Sequence, residues 1–168
     1  RLLFIGIRFI MKGGHLAVKV FEKLKKSCDT ELTVIGNVPE KYKRNFRDVR
    51  FLDPMPHGKM REFYLNSDIF IFPSHFDGYG AVNTEALSYG LPVITVKNFA
   101  SPEIISNGET GFVVETDGIT LDNFVFKGVS PQNNEMTKLM QNIPHEEKLV
   151  NRLKEKTEIL INNSSLRK

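Results

Sequence analysis

Apolar residues in this chain follow two rhythms. Short, mostly apolar runs recur at Leu2–Ile7, Leu32–Ile35, Val49–Leu52, Ile69–Phe72, Leu91–Val96 and Phe112–Val114, and all but the first have Gly, Pro or Asp on at least one side. Runs of that length and composition predict strands buried on both faces. With their flanks they span Arg1–Ile7, Glu31–Gly36, Val49–Asp53, Asp68–Phe72, Leu91–Val96 and Phe112–Glu115. Between them the period changes. Leu16, Ala17, Val18, Val20, Phe21 and Leu24 form the apolar stripe of a helix,. Met60, Phe63 and Tyr64 line one face of a helix ending near Ser67, where core packing accounts for them. Ala81–Tyr89 is helix-forming, with Gly90 as its C-terminal stop,. Residues 37–45 are polar and predict a loop with a short helix.

Strands alternating with helices imply an α/β fold with a doubly wound parallel sheet. After Thr116 the pattern loosens. Residues 117–134 are irregular, with Pro131 and the pair Asn133-Asn134. Two C-terminal helices follow within residues 135–168, at about Glu135–Asn142 and His145–Asn162. The second carries an apolar face of Leu149, Leu153, Ile159 and Leu160, expected to be loosely packed. The whole, residues 1–168, reads as one domain with a sizeable core,.

Candidate chemistry collects at the ends of strands. The stretch Phe72-Pro73-Ser74-His75-Phe76-Asp77-Gly78-Tyr79-Gly80-Ala81 runs from a strand through a glycine-rich turn into a helix. Gly78 and Gly80 permit positive φ and close approach of a ligand to the main chain. Such a turn aims free N–H groups and the positive helix end at one point, which suits a phosphate. Asp77 and Glu85 flank that point, and Lys12-Gly13-Gly14 forms a similar turn after the first strand. In such sheets ligands bind beyond the carboxyl ends of the strands, near the topological switch point. The Lys12, Gly36, Asp53–Pro56 and Asp77–Ala81 turns should therefore share one rim. The first turn lacks G-x-G-x-x-G and its acidic partner, which argues against a dinucleotide site,.

Asp-Gly-aromatic-Gly at 77–80, Glu85 eight positions after Asp77, and Gly90-Leu-Pro-Val93 resemble the signature of the retaining GT-B glycosyltransferases, glycosyl transferases group 1 or family 4. Lys12-Gly13, the strand ending at Gly36, and Asn107-Gly-Glu-Thr-Gly111 before a hydrophobic strand extend the likeness from about Phe4 to Val114. The resemblance implies a Rossmann-like sheet forming the C-terminal, donor-binding half of a GT-B fold. The N-terminal acceptor domain would be missing from this chain. Lys12 would contact the donor diphosphate, helped by the N–H groups of Gly80, Ala81 and Val82. Glu85 would take both ribose hydroxyls, and Asp77 would face the transferred sugar. Gly78 and Gly36 belong to the binding turns. Arg8 is a candidate second cation or an exposed structural arginine. His75 is a candidate phosphate or sugar contact or a local structural histidine. Glu103 lies where the family has a short helix bearing Glu, as a donor-site neighbour or as a helix-terminal acid. The sequence departs from the family at Asp77, where Glu is usual, and at Pro54-Met55-Pro56, where a Gly-containing turn is common.

The resemblance further implies a substrate that is a nucleoside-diphosphate sugar, UDP ahead of GDP, with no cofactor and no metal. The acceptor would be a glycan or lipid-linked molecule, and the enzyme a hexosyl-type transferase. The setting would be polysaccharide assembly in the cytoplasm, peripheral at the inner membrane face. The isolated fragment is expected to be inactive. A degenerate GT-B-like domain that binds a protein partner is the alternative. Composition adds little. A net charge of +3, with lysines scattered among acids, argues against nucleic acid as partner,. The single Cys28 excludes an internal disulfide framework and suggests a reducing compartment,. No apolar run is long enough to span a bilayer,.

Overall fold

The computed structural model of the 168-residue chain describes residues 1–74, 76–98, 100–116 and 146–163. In chain order the elements are β1 (Leu2–Arg8), α1 (Gly14–Leu24), β2 (Leu32–Asn37), α2 (Glu40–Asn45), β3 (Val49–Leu52), α3 (His57–Leu65), β4 (Ile69–Phe72), α4 (Ala81–Ser88), β5 (Val93–Val96), α5 (Ser101–Ile104), β6 (Gly111–Val114) and α6 (Glu146–Asn162). The expected helix at 135–142 and the irregular stretch at 117–134 lie outside the described residues, as does His75.

The six strands form one sheet in the order β3-β2-β1-β4-β5-β6, and every pairing is parallel. This is the doubly wound, Rossmann-like arrangement. The chain builds outward from β1 to β3, then crosses back to lay β4 beside β1. The switch point therefore lies between the carboxyl ends of β1 and β4. Register fixes that junction at its base, where Leu2 pairs with Ile69 and Leu3 with Phe70. At the same end Arg1 reinforces it. Its guanidinium donates to both carboxylate oxygens of Asp68, at 3.1 and 3.2 Å, and Asp68 N–H donates to Arg1 O. The guanidinium hydrogen bond holds the Asp68 carboxyl below the usual carboxylate range,.

The apolar runs are the core. Leu2–Ile5, Ile69–Phe72 and Val93–Val96 are buried along their length. The Phe72 ring meets both Phe4 and Phe70, with centroids 5.9 Å apart in each pair. Of α6, Leu149, Val150, Leu153 and Leu160 are buried, and Thr157 turns its hydroxyl back to Leu153 O at 2.7 Å. The helix lies on α1 and reaches β5 and β6. A polar seam closes that junction: Lys19 meets Glu146 at 2.8 Å, Lys23 donates to Asn151 at 2.9 Å and to Glu147, and Ser27 donates to Glu158 at 3.2 Å. The expectation of a loosely packed C-terminal face is thus corrected. Only Ile159 of the four named residues stands out, at 41% exposure.

One contact fixes the two candidate turns against each other. Gly13 has φ 77°, and a Cβ there would lie 2.0 Å from Pro73 O, at the end of β4. Gly13→Ala meets both a left-handed backbone and a backbone overlap. It should cost roughly 2–4 kcal/mol of stability, read from the urea midpoint. A loss below about 0.5 kcal/mol, the size of an ordinary surface substitution, would show that the turn can step away from Pro73.

Candidate functional site

A cavity of about 580 Å³ opens at the switch point. Its floor comes from the end of β1 (Ile5, Gly6, Ile7, Arg8) and from Phe72 of β4. One wall is the Lys12 turn with Met11; another is Phe76-Asp77-Gly78 leading into α4. The first turns of α4 contribute Ala81, Val82 and Glu85, and α3 contributes His57 and Met60. Gly6 explains how Lys12 reaches inward, since a Cβ at Gly6 would meet Lys12 Cβ at 2.9 Å.

Of the residues singled out from sequence, Lys12, Asp77, Gly78, Ala81, Val82, Glu85 and Arg8 line this one space. Gly80 lies just behind it as the N-cap of α4, with φ 78°. Gly78 is not among the glycines with positive φ, so of the two glycines in this turn only Gly80 uses that freedom. Gly36 is not in the lining. It is needed where it stands because a Cβ would fall 2.1 Å from Gly6 O, in the strand beneath the cavity. The Asp53–Pro56 turn and Glu103 are also absent from the lining, but the residue after the turn, His57, is present.

The charges in the cavity are already engaged with one another. Lys12 Nζ lies 2.7 Å from Asp77 Oδ2 and donates to Phe76 O at 3.0 Å. Both side chains are about one-fifth exposed. The other Asp77 oxygen accepts from Gly80 N–H at 3.0 Å, closing the turn before α4. Phe76 O also accepts from the buried Ser74 hydroxyl at 3.1 Å, and Ser74 O accepts from Asn98 Nδ2. The acid that the family pattern places on the sugar is here the counter-ion of the lysine. Asp77 bridges the two turns that follow β1 and β4. Arg8 donates from Nη1 to Met11 Sδ at 3.8 Å, a weak partner for a guanidinium.

At the far side Glu85 has two neighbours from α3. Tyr64 Oη donates to Oε2 at 2.9 Å, and His57 Nε2 lies 3.2 Å from Oε1. Burial, and then the bond to Glu85, push the Tyr64 phenol well above its ordinary range, so it remains a donor,. Sequence reasoning gave neither residue a place in the site. The spacing of His57, Met60 and Tyr64, at i, i+3 and i+7, puts all three on one face of α3 and was the available signal.

Along the cavity, then, a cation and the N-terminus of a helix stand at one end and an oriented carboxylate at the other. The first N–H groups of a helix have no acceptor within it and carry partial positive charge. Such a site can hold an anionic group at Lys12 and a hydroxyl-bearing group at Glu85.

Residues 1–121 match the profile of the family described as Glycosyl transferases group 1. The chain is 33% identical over 112 residues to the capsular polysaccharide biosynthesis glycosyltransferase CapM of Staphylococcus aureus, covering 62% of this chain and 30% of that protein. It is 36% identical over 128 residues to the D-inositol 3-phosphate glycosyltransferase of Corynebacterium efficiens, covering 67% of this chain and 30% of that one. The chain thus spans about a third of the length of these relatives. Among solved structures, the C-terminal domain of a glycosyl transferase group 1 family protein (LpcC) from Francisella tularensis superposes with a TM-score of 0.57 at 23% identity. The match covers 96% of this chain and 84% of that one. WaaG, a glycosyltransferase involved in lipopolysaccharide biosynthesis, gives 0.59 at 20% identity, over 94% of this chain and 42% of that one. These two likenesses speak for the fold, and the profile match over most of the chain for the family: the protein belongs to the glycosyl transferases group 1.

Proposed function

We propose that this chain is the donor-binding, C-terminal half of a retaining GT-B glycosyltransferase of family 4, specific for a nucleoside-diphosphate sugar. One observation carries the reading. Lys12, from the turn after β1, and Ala81, Val82 and Glu85, from α4, line a single cavity at the topological switch point, although the two segments lie far apart in sequence. Lys12 and the N–H groups of Ala81 and Val82 receive the diphosphate, with Gly80 N–H beside them, held by Asp77. Arg8, at the end of β1, supplies a second positive charge. Glu85 takes the ribose hydroxyls. Each charge-assisted hydrogen bond of this kind contributes roughly 1.5–3 kcal/mol. The same donors stabilise the nucleoside diphosphate as it departs and gains charge. Asp77 meets the transferred hexose after exchanging Lys12 for a sugar hydroxyl. Being one methylene shorter than the usual glutamate, it sets that sugar differently.

UDP is the preferred base carrier, ahead of GDP, and neither metal nor cofactor takes part. The acceptor is a glycan or lipid-linked molecule held by an N-terminal domain. The whole enzyme works in the cytoplasm, at the inner membrane face. The capsular polysaccharide relative supports a polysaccharide setting by its name. Isolated, this chain binds donor and does not turn over.

Calorimetric titration of UDP, GDP and ADP, with wild type and Glu85→Ala, tests the reading. UDP binding that falls at least about tenfold in the variant is the expected result. Absence of binding by all three at millimolar concentration would favour a degenerate, partner-binding domain. Sugar transfer by the isolated chain would overturn the division of labour between the halves.

A further inference from the structure

We infer that His57 and Tyr64 of α3 clamp Glu85 so that its carboxylate presents two free acceptor sites to a vicinal diol. On this view α3 is the source of selectivity for ribose over deoxyribose. The inference rests on reading the cavity as a nucleotide site.

A carboxylate offers about four lone-pair sites, two on each oxygen. Tyr64 Oη takes one on Oε2, and His57 Nε2 stands at donor distance from one on Oε1. One site remains on each oxygen. That is the demand of two neighbouring hydroxyls approaching one carboxylate side by side. The terminal torsion of a glutamate is otherwise broad, so an unclamped carboxylate would present this edge only part of the time.

The two clamp residues are held very differently. Tyr64 is 1% exposed, and its ring lies parallel to Tyr89, with centroids 5.0 Å apart and 10° between planes. Tyr89 is the C-cap of α4, the helix that carries Glu85. The phenol is therefore fixed to the same body as the acid it holds. His57 is the first residue of α3, and its side chain is 70% exposed, while that of Glu85 is 31% exposed. It closes the clamp from the solvent side. Met60 lies between them on the same face and lines the cavity. A nucleotide lacking one hydroxyl would leave one acceptor site of a fixed carboxylate unpaired, and sites built to bond a hydroxyl reject such analogues strongly.

Affinities for UDP, 2′-deoxy-UDP and inorganic pyrophosphate are measured by calorimetry for wild type, Tyr64→Phe, His57→Ala, His57→Gln and Glu85→Gln. Wild type is expected to prefer UDP over 2′-deoxy-UDP by about tenfold or more. Tyr64→Phe, which keeps the buried ring, and His57→Ala should each cut that preference to roughly a third or less. His57→Gln, which keeps an N–H donor, should restore much of it. Pyrophosphate, which has no ribose, should bind all of them alike. If both clamp variants keep the full wild-type preference while Glu85→Gln loses it, the clamp is overturned and the nucleotide site stands. A parallel fall in pyrophosphate affinity also overturns the clamp, because the effect is then general. Wild type that binds both nucleotides equally overturns the clamp and leaves the nucleotide site standing, whereas wild type that binds neither overturns the clamp and the donor reading together.

Discussion

Lys12→Met should weaken the binding of UDP and of pyrophosphate alike, by roughly 30- to 100-fold, or about 2–3 kcal/mol. Two effects add. The variant loses a charge-assisted donor to the diphosphate. It also strips Asp77 of the cation 2.7 Å away, leaving an uncompensated carboxylate beside the phosphates. The double variant Lys12→Met/Asp77→Asn separates them. The amide side chain keeps an oxygen for Gly80 N–H, so the turn before α4 survives while the repulsion goes. The double variant should therefore bind several-fold tighter than Lys12→Met alone. Equal affinities for the single and double variants would mean that Asp77 swings clear of the diphosphate on binding. Unchanged affinity in Lys12→Met would remove the lysine from the site.

The second large effect concerns stability. Leu153 of α6 is fully buried where that helix meets the rest of the domain. Leu153→Ala should cost about 3–4 kcal/mol, because the transfer energy of the lost atoms and the cavity left behind both count. Urea denaturation reads this directly. A cost under about 1 kcal/mol would mean that the helix is only loosely docked, as its sequence alone suggested. The difference lies in the seam. Lys19, Lys23 and Ser27 recur every fourth residue on and just past α1, and meet Glu146, Glu147 with Asn151, and Glu158 on α6. Pairings across more than a hundred residues are invisible to the local periodicity of either helix.

The same distinction explains what was legible elsewhere. Runs such as Ile69–Phe72 are buried on both faces of a parallel sheet, so composition alone marks them. The glycine-rich turn announced itself because a left-handed N-cap such as Gly80 admits little else. The common cavity of Lys12, Asp77 and Glu85 followed from strand ends sharing a rim. What each of those side chains touches did not follow. Asp77 on Lys12 is a pairing across 65 residues. Tyr64 read as core, and its ring is core. Its hydroxyl is what reaches Glu85, and no pattern of apolar residues separates the two ends of one side chain. Gly36 read as a binding turn because it ends an apolar run, whereas β2 continues to Asn37 and the glycine serves the close approach of β1.

The contact of Gly13 with Pro73 bears on kinetics. The Lys12 turn is tied internally, with N–H groups of Lys12, Gly13 and Gly14 donating to Arg8, Ile10 and Phe9 carbonyls. Gly13 then presses it onto the end of β4. The two jaws of the cavity thus belong to one packed body. Within this domain a ligand needs no closing step. Association should rise linearly with ligand concentration, without the plateau that a slow rearrangement imposes, and differences in affinity between ligands should reside in their rates of departure.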